Sequence, residues 1–154
     1  MPHSASDLDA LLRSMLPAGA RLQIPPPCLA DMHGEFVEYI EGQSLRMRFP
    51  VLERYRNPLG HMQGGFVVAA LDNTLGPFSY LIAPPSATMA LNTQFLRPVL
   101  ADETAIECRA WLVERTRGQL HLAAEARLSD GRVATLAQSV CQILPPPGDA
   151  KPPR

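Results

Sequence analysis

The chain has 154 residues, 46% of them apolar and 19% charged, which suits one domain with a real core and argues against disorder. Its net charge is −1, with 14 lysines and arginines, so no strong field exists to hold nucleic acid or an anionic membrane. The three cysteines, Cys28, Cys108 and Cys141, are an odd number with no C-x-x-C spacing, which points away from a disulfide framework or zinc site and towards a reducing cytoplasm.

The opening residues carry no basic stretch followed by an apolar run, so no leader is expected. Residues 6–16 read as a helix, with Leu8, Leu11, Leu12, Met15 and Leu16 on one stripe and Ser6 at the cap position. This helix is either a lid over a site or a cover for apolar surface. Two strands follow, over 34–41 and 43–51. In the second, Leu45, Met47, Phe49 and Val51 face one way, and Ser44, Arg46 and Arg48 the other. Glu41-Gly42 marks the turn between them.

Residues 52–63 are loop, broken by Asn57-Pro58 and Gly60. Gly64-Gly65 then opens a helix to about Ile82. It is apolar nearly all round, which predicts burial on every side. Its polarity and Pro77 exclude a membrane span. Beyond Pro84-Pro85 come strands around 89–95, 104–112, 119–128 and 132–144, with hairpin signals at Arg117-Gly118 and Asp130-Gly131. Cys108 and Cys141 read as small core residues, and Trp111 and His121 as packing and surface. The domain is expected to span 1–144, and the proline-rich tail 145–154 is expected to be disordered. Consecutive hairpins around one apolar helix make an α+β fold whose antiparallel sheet of about six strands curls around that helix. The outer sheet face and the edges then need cover, which predicts a second copy of the chain.

Asp72 stands out on the apolar helix. An unpaired buried carboxylate costs several kcal/mol, so the site hydrates it, pairs it or uses it. Gly65, Ala69, Gly76 and Ser79 lie on its stripe and leave room for a second helix or a substrate. Both readings stand: a helix–helix hydrogen bond in a dimer, or a reacting group. Gln63-Gly64-Gly65 sits at the helix start, where free N–H groups can hold an oxyanion or simply end a tight turn. Asp72 lies eight residues beyond Gly64, about 12 Å along a helix. That is too far for both to act on one carbonyl, so joint catalysis demands two subunits.

Asn57-Pro58-Leu59-Gly60-His61-Met62-Gln63-Gly64-Gly65 followed by Leu71-Asp72-Asn73 resembles the signature of the PaaI-like hot-dog acyl-CoA thioesterases. The segment Thr88 to Pro98, ending Gln94-Phe95-Leu96-Arg97-Pro98, resembles that family's next strand. The resemblance implies a hot-dog fold and hydrolysis of acyl-CoA thioesters by a homodimer or homotetramer. No separate cofactor or metal is implied, since CoA belongs to the substrate. It makes Asp72 the general base or nucleophile, Gly64 the oxyanion donor from the other subunit, and Asn57 the residue that orients substrate or water. Thr88 would place the water, and Gln63, Gly65 and Arg97 would contact substrate, with Arg97, Arg115 and Arg117 the candidates for CoA phosphates. Gln63 stands where many members have His and cannot titrate near neutrality. His61, two positions away, reads as a loop residue that does not repair the motif. The competing readings are an acyl-CoA sensor, kept open by Gln63, and a hydratase or dehydratase, for which no histidine follows the helix within reach of the motif. The sequence has no Ser-His-Asp array, P-loop or dinucleotide fingerprint.

Overall fold

A computed structural model describes residues 5–14 and 23–145. Its elements run α1 (Ala5–Ser14), α2 (Pro27–Asp31), β1 (Glu35–Ile40), β2 (Ser44–Pro50), a 3₁₀ turn (Glu53–Tyr55), α3 (Gly64–Ile82), β3 (Ser86–Phe95), β4 (Ala105–Arg115), β5 (Gln119–Arg127) and β6 (Val133–Ile143). The six strands form one antiparallel sheet in the order β1-β2-β4-β5-β6-β3, wrapped on α3. This is the hot-dog fold, with α1 as an extra N-terminal helix.

Period-two alternation builds the inner face. Leu45, Met47 and Phe49 of β2, Ile106, Cys108 and Ala110 of β4, and Leu120, Leu122, Ala124 and Ala126 of β5 are all buried. They close on Val67, Ala70, Leu71, Thr74, Leu75 and Phe78 of α3. The Thr74 hydroxyl, which would be an orphan there, donates to the Ala70 carbonyl at 2.9 Å. Pro77 is accommodated inside α3, as the continuous helix to Ile82 shows.

Several expectations need correction. The long helix is not buried on every side: Gly65 and Asp72 are exposed, and Ala69, Asn73 and Gly76 half-buried. The sheet takes only one face of α3, because its order ends at β3 and never closes into a barrel. The outer sheet face is partly charged. It carries Arg46 paired to Glu38 at 3.2 Å and to Glu107 at 2.8 Å, and Arg127 paired to Glu125 at 2.8 Å. Such ion pairs are content in water. Exposed apolar side chains cluster on and after β3, where Met89 is 67%, Phe95 56% and Leu96 50% exposed. β3 pairs only with β6, so its other edge is open.

Two short elements were hidden in the sequence: α2 within the proline-marked border and the 3₁₀ turn within the loop. α1 already includes Ala5, so Ser6 does not precede it as a cap. Met15, Leu16 and the tail from 146 onward lie outside the described residues.

Candidate active site

The start of α3 is held by the preceding loop. The Gln63 N–H donates to the Tyr55 carbonyl at 2.7 Å, and the Met62 N–H to Val99 at 2.9 Å. The Tyr55 ring stacks on Phe66 of the first helical turn, with centroids 4.1 Å apart. Asn57 closes the loop: its Oδ1 accepts from the N–H of Leu59 at 2.9 Å and of His61 at 3.1 Å. Its side-chain carbonyl is thereby spent on the turn, and only the amide NH₂ remains to donate elsewhere.

Gln63 takes the N-cap position with φ −58° and ψ 134°, but its side chain makes no capping bond. Its carbonyl accepts from Phe66 and Val67. Among the described residues the N–H groups of Gly64 and Gly65 have no acceptor, as expected for the first positions of a helix. Gly64 lines a cleft of about 290 Å³ together with Asn57, His61, Phe95 and Arg97. Arg97 is exposed there and ties one guanidinium nitrogen to the Val133 carbonyl at 2.8 Å. Around Gly65 there is open space: an added Cβ would meet no atom within 4 Å.

Asp72 lines a different cavity. That cavity is larger, about 760 Å³, and also holds Asn73, Gly76 and Thr88. Among the described residues Asp72 has no hydrogen-bond or ion-pair partner. Burial pushes its carboxyl above the ordinary aspartate value, with no nearby cation to offset the effect. Asp72 is nonetheless exposed: the carboxylate is walled by protein on one side and meets open space on the other. Asn73, next along, is fixed by donating to the Ala69 carbonyl at 3.0 Å and accepting from the Cys28 thiol at 3.3 Å.

The single chain therefore brings Asn57, Gly64 and Arg97 together at one cleft, and Asp72 and Thr88 together at another, but not the two sets with each other. Gln63 and Gly65 flank the first cleft, both exposed. His61, set aside on sequence grounds, lines the Gly64 cleft. Its signal was the Asn57 side chain, which bends the loop back and turns a neighbour in sequence into a neighbour in space. Trp111 lies away from both clefts, with Arg109 over its ring at 5.8 Å. Arg115 donates to the Ile82 carbonyl at 3.1 Å, at the far end of α3 from Gly64. Cys108 and Cys141 are buried. Among the described residues no group of three or more His, Cys, Asp or Glu gathers as metal ligands, and no helix is long and apolar enough to cross a membrane.

Residues 59–135 match the model of the thioesterase superfamily. No curated protein matches the chain in sequence. Solved structures do match. A phenylacetic acid degradation-related protein of Ralstonia eutropha JMP134 is 25% identical with a TM-score of 0.73, over 88% of this chain and 98% of that one. The E. coli PaaI protein of the phenylacetic acid degradation operon is 13% identical with a TM-score of 0.77, over 90% and 96%. A Bacillus halodurans protein solved with CoA is 20% identical with a TM-score of 0.61, over 64% and 66%.

Proposed function

Because the chain belongs to the thioesterase superfamily, with thioester hydrolysis as its general chemistry, we propose that it cleaves acyl-CoA to the free acid and CoA at a site shared by two subunits. The observation that carries this reading is the separation of Asp72 and Gly64 into two clefts of one helix. Each cleft holds half of a hydrolytic site. The face of α3 between them is open, and so is the edge of β3. A second copy, related by two-fold symmetry, would cover that face and bring the Asp72 of one protomer to the Gly64 end of its partner's helix. Burial of Met89 and its neighbours would supply part of the association free energy.

In the proposed reaction the thioester carbonyl oxygen accepts from the Gly64 N–H at the helix N-terminus, where the partial positive charge of the helix adds to the bond. Asp72 takes a proton from water, or attacks the carbonyl itself. The elevated carboxyl makes it a better base than an ordinary aspartate. On the base route the water oxygen bonds to the carbonyl carbon and the carbon–sulfur bond breaks, giving acid and thiolate; on the nucleophile route thiolate leaves first and water then cleaves the acyl–Asp72 anhydride to free acid. Thiolate needs little acid assistance to leave. The Asn57 NH₂ orients the water or the substrate, Thr88 helps to place the water, and Gln63 and Gly65 border the bound ester. Arg97 has donors left over for a CoA phosphate. The relative solved with CoA carries the same acyl carrier that is proposed here. The reducing cytoplasm, where acyl-CoA is made and used, is the proposed location.

The test is release of free thiol from short, medium and aryl acyl-CoA by the wild-type chain and by Asp72→Asn. Hydrolysis is expected for the wild type only. Near-wild-type turnover by Asp72→Asn would remove the carboxylate from the mechanism. A melting shift without thiol release would favour the sensor that Gln63 keeps in play.

A further inference from the structure

The cavity that holds Asp72 runs far beyond the carboxylate. Its walls are apolar and come from three layers. Phe36 and Met47 belong to the sheet, Tyr80 to α3, and Leu8, Leu12 and Leu29 to α1 and α2. Polar side chains interrupt these walls, Asp72, Asn73 and Thr88 among them. α1 is firmly docked: Leu8 is 4% and Leu12 9% exposed, and Arg13 donates to the Ile24 carbonyl beyond them. Gly34 lets the end of α2 approach the sheet, for a Cβ there would lie 2.6 Å from the Phe49 ring and 2.3 Å from Leu29. A helix that served only as cover would lay its leucines flat on α3. Here α1 touches α3, and a space of about 760 Å³ still remains among α1, α2, α3 and the sheet.

We propose that this space is an acyl-chain chamber built for medium-chain or longer thioesters, and that α1 is the wall that sets the length accepted. The proposal rests on the reading of Asp72 as the reacting carboxylate, since that places the carbonyl end of the chain at the stretch of wall that carries Asp72. Volume decides the class. At roughly one water volume per carbon, about 30 Å³, an acetyl group fills under about a tenth of the space and an eight-carbon chain about a third. Chambers that enclose ligands of that size run from about 300 to 1,000 Å³. Each methylene that leaves water for such a wall gains about fourfold in affinity.

The experiment uses S-alkyl-CoA thioethers, which cannot be hydrolysed, and measures binding to the full chain by calorimetry. Affinity is expected to climb from ethyl- through butyl- to octyl-CoA by about two- to fourfold per methylene. Leu12→Trp, which fills the chamber from α1, is expected to cut the ratio of octyl- to ethyl-CoA affinity by about tenfold or more. Leu12→Ala, which enlarges it, moves the preference towards dodecyl-CoA and serves if the tryptophan variant does not fold. Length-independent binding by the wild type, or a ratio that neither variant moves, overturns the chamber. Thiol release from butyryl- and octanoyl-CoA is followed in parallel. Length-graded binding without turnover would sink the hydrolase reading and leave the chamber standing.

Discussion

The Phe95 ring lies directly over Gly64, so that a Cβ added at this glycine would sit 3.0 Å from the ring's Cζ and 3.2 Å from Cε1. The last residue of β3 thus roofs the first residue of α3, and only a residue without a side chain fits beneath it undisturbed. The roof also marks Gly64 as a place where the backbone, and not a side chain, meets whatever enters the cleft.

That relationship separates two effects at one position. Gly64→Ala adds the Cβ and keeps the N–H; the ring must give by a few tenths of an ångström. Gly64→Pro adds the same Cβ, closes a ring through Cγ and Cδ, and removes the N–H. Proline is well tolerated at the first helical position, and Gln63, at ψ 134°, already lies outside the α region that a following proline disfavours. Helix content by circular dichroism should match the wild type in both variants. The expected kcat of Gly64→Pro is about 10²–10³-fold below that of Gly64→Ala. Equal kcat values would mean that the N–H does not hold the oxyanion.

Asp72 sets the pH behaviour. Burial raises its carboxyl above the ordinary aspartate value. The ionised form is the base, so kcat/KM falls as pH drops through the raised value, earlier than an ordinary aspartate would dictate. Stability runs the opposite way. Between the unfolded and folded values the folded chain holds the proton more tightly, so folding loses free energy as pH rises through that window. Asp72→Asn should therefore lose about 10²–10⁴-fold in kcat yet melt slightly higher at neutral pH, with the difference closing below about pH 4. The gain is small because the side chain is exposed in the single chain. Melting curves across pH for both proteins check the sign.

Asn57 has two separable duties. Its Oδ1 holds the loop through Leu59 and His61, and its NH₂ is left for the cleft. Asn57→Asp keeps the acceptor and loses the donor. It should melt like the wild type and show a reduced kcat/KM, by about tenfold for one lost hydrogen bond to substrate or water. Asn57→Ala loses both and should also cost about 1–2 kcal/mol of stability in denaturant titration.

Subunit sharing is read by mixing two inactive chains. In a dimer of Asp72→Asn with Gly64→Pro, one site carries both lesions and the other carries none. Random exchange of the two variants should restore about a quarter of wild-type activity, because half the dimers are mixed and each mixed dimer has one intact site. No recovery after proven exchange would put both groups within one chain's site.

The sequence alone determined most of the fold. Alternation at residues 45–51, 104–112 and 120–128 assigned the inner sheet face correctly, since a period of two leaves each side chain one choice of side. Gly64-Gly65 and Pro84-Pro85 bracketed α3 closely, because glycine and proline act on the backbone where they stand. The motif at 57–65 with Asp72 led to the family by the same local logic. Only the tertiary structure decided which face of α3 stays open, that ion pairs lie on the outer sheet face, and that Asp72 and Gly64 line different clefts. It also decided that α1 lines the Asp72 cavity and that His61 lines the Gly64 cleft. Those facts depend on strand order and on loops folding back, and on distances between residues far apart in the chain. A one-dimensional pattern fixes which side of an element is apolar, but not what, if anything, comes to lie against it.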